Sequence, residues 1–241
     1  MFGSTWPAGL APSSLELLEA EPARRDAQGP ATHGGSVRGV AILSAIGSPP
    51  PEAAIASAVA ALKAGDIVGM PTDTVYGLAA DPWETGAVDR LFRIKGRPRA
   101  VELPVLVAGV EQALELATAV PIVAHRLMEE HWPGALTLVL PRRPDLVADL
   151  GEDDATIGVR CPAHAVPLAV CRRLGPIAST SANLHGAPPA TTATEVATLP
   201  GLDLVIDGGT CAGQPSTVVD CTGAEPRILR QGAVIVVIGE S

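Results

Sequence analysis

Between residues 52 and 63 the apolar side chains Ile55, Val59 and Leu62 recur three to four positions apart. That spacing predicts an amphipathic helix over 52–63, preceded by Pro49-Pro50-Pro51 and closed by Gly65. Downstream, short apolar runs rich in Val, Ile and Leu alternate with stretches of helical periodicity. The runs predict strands over 67–70, 105–108, 136–140, 157–160, 177–179, 204–207, 217–220 and 234–238. The periodic stretches predict helices over 84–94, 110–118, 121–131, 164–174 and 192–199. Strands interleaved with helices imply an α/β protein around a mixed sheet. Trp132-Pro133-Gly134 reads as a helix stop and turn, with Trp132 in the core.

Residues 1–36 break this pattern. They are rich in Pro, Gly, Ala and charge, sustain no periodicity, and are expected to form a flexible leader. No linker divides the chain after residue 65, so residues 37–241 are expected to form one catalytic domain.

Composition narrows the functional classes. A chain of 241 residues with 47% hydrophobic content can bury a full core. No apolar run reaches the ~18 residues of a membrane-spanning helix, which excludes such a span. The N-terminus lacks a basic-then-apolar signal pattern, so a cytoplasmic protein is expected. Cys161, Cys171, Cys211 and Cys221 show no CxxC pairing and read as reduced, mostly buried thiols. A net charge of −9 argues against a general nucleic-acid coat protein. Against that background, Arg90, Arg93, Lys95, Arg97 and Arg99 form a local concentration of positive charge.

The candidate chemistry lies in polar clusters near strand ends. The chain's only tyrosine, Tyr76, sits in Met70-Pro71-Thr72-Asp73-Thr74-Val75-Tyr76-Gly77-Leu78, where hydroxyls and a carboxylate crowd a turn. Lys95-Gly96-Arg97-Pro98 pairs a compact cation with a planar one, a combination suited to a polyphosphate. Ser179-Thr180-Ser181-Ala182-Asn183 offers small hydroxyls, an amide and backbone N–H groups to anionic oxygens. Arg160 closes a predicted strand just before Cys161-Pro162, and there it either pairs with a protein carboxylate or captures the carboxylate of an amino acid. Ser216-Thr217-Val218-Val219-Asp220 and Arg230 complete the series. No GxxxxGK[ST] or GxGxxG run is present, and the histidines show no metal-ligand spacing.

Taken in order, PTDTVYGL (71–78), KGRP (95–98), WPGALTLVL (132–140), TIGVRCP (156–162), STSAN (179–183), DGG (207–209), STVVD (216–220) and ILRQG (228–232) resemble the YrdC-type family of L-threonylcarbamoyladenylate synthases. The resemblance covers about residues 52–238. It implies a YrdC-like twisted mixed sheet flanked by helices, with an open cationic cleft. It also implies a nucleotidyltransferase reaction: L-threonine captures bicarbonate or CO₂, and the resulting carboxylate attacks the α-phosphate of ATP. The products are threonylcarbamoyl-AMP and pyrophosphate, the first step of the t6A37 modification of tRNA. By position in the motifs, Thr74, Arg160, Ser181 and Ser216 match residues that hold threonine. Lys95, Arg97, Thr156, Asn183, Thr191 and Arg230 match residues around ATP, with Mg²⁺ bridging the phosphates. Lys95 and Arg97 are the expected catalytic cations. The implied partners are a threonylcarbamoyl transferase complex, in transient contact, and tRNA in a weak one.

The chain departs from the family pattern where Val101-Glu102-Leu103 follows KGRP, in place of an Asn-Pro-Leu-like or Lys-Pro-Leu-like triplet. Glu102 is expected to place a negative charge near the phosphate cations. Leu106 stands where many members have a histidine. The chain resembles the family's short form, and two other readings stay open: a divergent YciO-like paralogue with weak or different activity, and an RNA-binding protein of the same fold.

Overall fold

The computed structural model describes residues 40–184 and 186–237, and the expected 1–36 leader lies outside them. Ten strands form one mixed sheet: β1 (Ala41–Ser44), β2 (Val68–Met70), β3 (Gly77–Ala80), β4 (Val105–Leu106), β5 (Leu136–Pro141), β6 (Thr156–Arg160), β7 (Ile177–Ser181), β8 (Leu204–Asp207), β9 (Thr217–Asp220) and β10 (Arg227–Arg230). Their spatial order is β1-β8-β2-β3-β7-β4-β6-β5-β9-β10. The pairs β1/β8, β2/β8, β4/β6 and β5/β9 run parallel, and the remaining neighbours are antiparallel. Six helices accompany the sheet: α1 (Glu52–Lys63), α2 (Ala87–Lys95), α3 (Val110–Leu116), α4 (Ile122–His131), α5 (Ala165–Leu174) and α6 (Ala193–Val196).

The period-2 alternation of the strands divides the interior into two cores. On β8, Leu204 and Ile206 face one side and Val205 the other. The smaller core lies under α1 and α5, where Ile55, Ala58 and Leu62 meet Val166, Val170 and Cys171. An exposed Arg173–Glu52 ion pair also links these two helices. The larger core gathers Leu91 and Phe92 of α2, Ala113 and Leu116 of α3, and Leu127 and Met128 of α4 against the other face. Here Leu136, Leu138 and Leu140 of β5 point inward with Ile157 and Val159 of β6. Their alternates, Thr137, Val139, Gly158 and Arg160, turn away from this core and line a cavity instead. The functional cleft is therefore the second face of β5, β6 and β9, beyond the reach of α1 and α5.

The predicted strand over 234–238 does not form. Ile238 lies outside the described residues, and 234–237 have no strand partner. Val236 is buried while Ile235 and Val237 are 80% and 85% exposed, which reproduces the alternation that suggested a strand. The Val234 carbonyl accepts instead from Thr217 Oγ1 at 2.5 Å and Gln231 Nε2 at 2.7 Å. Side-chain donors have taken the place of a sheet ladder. Gly232 makes this path possible: an added Cβ would lie 2.3 Å from the Pro215 carbonyl oxygen and 2.4 Å from the Ser216 carbonyl carbon. All four cysteines are free and buried.

Candidate active site

The cavity has a volume of about 270 Å³. Its wall is assembled from the β2–β3 turn, the segment after α2, and the strands β5, β6, β7 and β9. Of the residues anticipated from the motifs, Thr74, Arg97, Arg160, Ser181, Ser216 and Arg230 line it together. Lys95, Thr156, Asn183 and Thr191 lie outside that lining.

At one end Arg160 organises the site. It is 7% exposed and held from three directions. Nη1 donates to Thr74 Oγ1 at 2.9 Å, Nη2 to Asp73 Oδ1 at 2.6 Å, and Nε to the Gly134 carbonyl at 3.1 Å. Burial pulls its pKa down and Asp73 opposes that pull. The guanidinium thus has a protein counter-ion in Asp73, the first of the two readings left open by the sequence, and it also lines the cavity. Thr72 fixes the turn: its hydroxyl donates to the Val75 carbonyl at 2.6 Å and lies 2.9 Å from Thr74 Oγ1. Across the cavity Ser216 Oγ lies 2.9 Å from Thr137 Oγ1 and accepts from Arg230 Nη2 at 3.2 Å. Arg230 also donates twice to the Ser216 carbonyl. Tyr76 is fully buried and donates to the Gly209 carbonyl at 2.7 Å, so its hydroxyl braces the DGG turn.

At the other end the cations are anchored to backbone. α2 stops at Lys95, with Gly96 in the left-handed conformation (φ 60) sending the chain back towards the sheet. Lys95 Nζ donates to the carbonyls of Ser181 at 2.8 Å and Asn183 at 2.9 Å, and to Asn183 Oδ1 at 2.5 Å. It supports the STSAN segment from behind the cavity wall. Burial, with the charge of Arg97 in second place, lowers its pKa to about 8. Arg97 Nη2 donates to the carbonyls of Val101 at 2.7 Å and Glu102 at 2.6 Å, and burial lowers its pKa to about 10. Arg97 lines both the cavity and an adjoining surface depression with Phe92, Arg93 and Arg99. Thr156 donates to Asp153 Oδ2 at 3.1 Å, and the Thr191 N–H donates to Glu195 Oε2 at 2.7 Å.

Glu102 differs from its expected role as an added negative charge. It is 7% exposed, and burial first, then the neighbouring Asp153, raise its pKa to about 8. The carboxyl is consequently mostly neutral at pH 7 and repels an anionic ligand far less than a carboxylate would. Its charge state depends on residues 40 to 54 positions away, which a reading of local sequence does not bring together. Thr137 was missed for a simpler reason: it reads as a strand residue within WPGALTLVL, and only the alternation of the buried Leu136 and Leu138 marks it as facing away from the core.

The Sua5/YciO/YrdC family profile, described as "Telomere recombination", matches residues 60–232. The threonylcarbamoyl-AMP synthase of Bacillus subtilis is 42% identical over 185 residues, which cover 75% of this chain and 54% of that protein. The crystal structure of Pyrococcus abyssi Sua5 complexed with L-threonine superposes with a TM-score of 0.73 at 39% identity, covering 79% of this chain and 57% of that one. Escherichia coli YciO superposes with a TM-score of 0.72 at 28% identity, covering 80% of this chain and 95% of that one. The chain spans just over half the length of the Bacillus and Pyrococcus proteins. Fold, motif order and this likeness together place the chain in the Sua5/YciO/YrdC family.

Proposed function

We propose that the protein is an L-threonylcarbamoyladenylate synthase, acting on L-threonine, bicarbonate or CO₂, and ATP. The observation that carries this reading is the pairing, in one cavity, of an arginine-centred pocket for a small amino acid with further cations for a polyphosphate. The names of the Bacillus and Pyrococcus relatives support the same reaction. The threonine carboxylate would rest against Arg160, and its side chain among Thr74, Ser181 and Ser216.

The chemistry asks little of the protein beyond placement. The threonine amine, once deprotonated, forms an N–C bond to CO₂, and the resulting carbamate oxygen attacks the α-phosphate as pyrophosphate leaves. No enzyme nucleophile is needed, so rate comes from aligning two anions and stabilising the charge that builds on the phosphates. Lys95, Arg97 and Arg230 supply that charge. Lys95 and Arg97 would do so by exchanging backbone carbonyls for phosphate oxygens. Thr156, Asn183 and Thr191 would complete the ATP site from the rim. Mg²⁺ would enter on ATP as part of the substrate.

The product is a mixed anhydride that hydrolyses easily, which favours direct transfer to a threonylcarbamoyl transferase complex acting on adenosine 37 of tRNA. The enzyme would be a nucleotidyltransferase working in the cytoplasm as one domain over residues 37–241; no helix among the described residues is long and apolar enough to cross a membrane. Pyrophosphate release that requires both threonine and bicarbonate, with serine and alanine as controls, tests this reading. ATP binding without threonine-dependent release would assign the protein to the YciO-like alternative.

A further inference from the structure

Two buried side-chain atoms among the described residues have no hydrogen-bond partner, Glu102 Oε1 and Arg142 Nη1. They belong to one neighbourhood. Arg142, at the end of β5, is the positive charge that acts on Glu102, and Asp153 and Asp154 before β6 act on it as negative charges. Thr156 on β6 makes a side-chain hydrogen bond to the carboxyl, which opposes the rise in its pKa and leaves Oε1 as the oxygen without a partner. From the α2 side Arg97 grips the Glu102 carbonyl, and Gly151 packs against the residue so closely that a Cβ there would lie 3.3 Å from Glu102 Cα. Arg142 spends Nη2 on the carbonyls of Leu146 and Ala148, while Nη1 lies 3.3 Å from Asp154 without hydrogen-bond geometry. Glu102 itself lines the cavity.

A buried carboxyl oxygen without a partner is costly unless something else supplies the hydrogen bond. The acidic surroundings say what that partner is not. With Asp153 and Asp154 beside it, the Glu102 carboxyl disfavours phosphate, which Arg97 attracts from the α2 side, where it holds the Glu102 carbonyl, and Arg230 attracts from beside Ser216. An uncharged polar edge remains, such as the base or sugar of a nucleotide whose phosphates lie on those cations.

We propose that Glu102 is a nucleotide-binding residue, specific to this chain's Val101-Glu102-Leu103 variation, that enters the site as a neutral carboxylic acid and donates its O–H to the nucleoside end of ATP. The proposal rests on the nucleotide site described above. Binding is thereby coupled to one proton: the acid form binds, and ionisation both removes the donor and places a negative charge beside the ligand. Affinity is full below pH 8 and falls as the pH rises through the free-state pKa of about 8. Lys95 loses its charge in the same window, so two groups contribute to the fall and only one belongs to Glu102.

The test is calorimetric titration of the full chain with Mg·ATP from pH 7 to 9.5, in buffers of different ionisation enthalpy, for wild type and Glu102→Gln. The expected wild-type result is proton uptake on binding above pH 8. Glutamine keeps a donor and cannot ionise, so Glu102→Gln should match wild type at pH 7, take up one proton fewer, and bind about tenfold more tightly than wild type at pH 9. Identical pH profiles for the two proteins would overturn the proposal while leaving the ATP site intact. So would affinity for Mg·ATP that rises with pH in wild type. Should the variant fold poorly, wild type still tests the coupling: no proton uptake above pH 8 refutes it. No ATP binding by either protein at any pH would sink the synthase reading together with this one.

Discussion

The two ends of the cleft differ in how fully their polar groups are satisfied. At the proposed amino-acid end Arg160 is paired with Asp73, bonded to Thr74 and the Gly134 carbonyl, and packed to 7% exposure. At the proposed nucleotide end Lys95 and Arg97 are tied to carbonyls of nearby loops, and Glu102 keeps an unpartnered oxygen. The first arrangement is preorganised and loses little on binding. On the proposed reading the second would trade backbone contacts for ligand contacts, its cations holding the loops until phosphate replaced them. The lesson is that position in a motif does not fix a side chain's resting partner: KGRP supplies cations that act structurally first.

The sharpest way to break the comparison is Arg160→Ala. It leaves Asp73 in a half-buried site without its partner, and breaking such a pair costs roughly 3–5 kcal/mol. Threonine affinity should fall by at least a hundredfold and the thermal midpoint should drop. Steady-state kinetics with a melting curve checks both, and an unchanged KM for threonine would remove Arg160 from the amino-acid site. Next in size are Lys95→Ala and Arg97→Ala, each expected to lower kcat about a hundredfold, or ~3 kcal/mol. If Arg97 acts at the nucleotide end, threonine binding by Arg97→Ala measured without ATP should barely change, whereas Lys95→Ala also frees the Ser181 carbonyl and should weaken it.

A third effect concerns stability. The Glu102 pKa is raised on folding from 4.5 to about 8, so the folded state holds the proton more tightly. That stabilisation is fully present below pH 4.5 and is lost as the pH climbs through about 8. Glu102→Gln, which never ionises, should therefore gain stability over wild type between pH 5 and pH 7, by roughly 2.5 kcal/mol. Lys95 behaves oppositely: its pKa falls on folding from 10.5 to about 8, so its contribution improves between those values and is common to both proteins. Urea denaturation at the two pH values reads the difference, and a constant gap would show that Glu102 is ionised throughout. The smallest effect should come from Thr137→Val, which removes the hydroxyl that positions Ser216. We expect a KM for threonine raised about fivefold, ~1 kcal/mol, with kcat retained.

Much of the fold was legible because burial and periodicity coincide. The helix over 52–63 and the strands over 204–207 and 217–220 have their expected bounds, since each carries a run that only one core position accommodates. The strands that periodicity missed have individual reasons. β3 is Gly-Leu-Ala-Ala, small residues that favour no strand, and it owes its conformation to β2 and β7 on either side. β1 and β10 are the outermost strands of the sheet, partly exposed and without a full apolar face. At the site, family resemblance brought Thr74, Arg160, Ser216 and Arg230 together across some 150 residues, and the cavity contains all four. What no local reading supplies is the charge on Glu102 or the occupation of Lys95 by Ser181 and Asn183. Both follow from contacts between distant segments.

The most direct measurement of the central claim is the fate of bicarbonate carbon. Purified protein is incubated with Mg·ATP, L-threonine and ¹³C-labelled bicarbonate, and the quenched mixture is resolved by mass spectrometry. The account predicts a labelled species containing threonine, one carboxyl carbon and AMP, formed in step with pyrophosphate and absent when threonine is omitted. Pyrophosphate released without labelled carbon joined to threonine and AMP would contradict it.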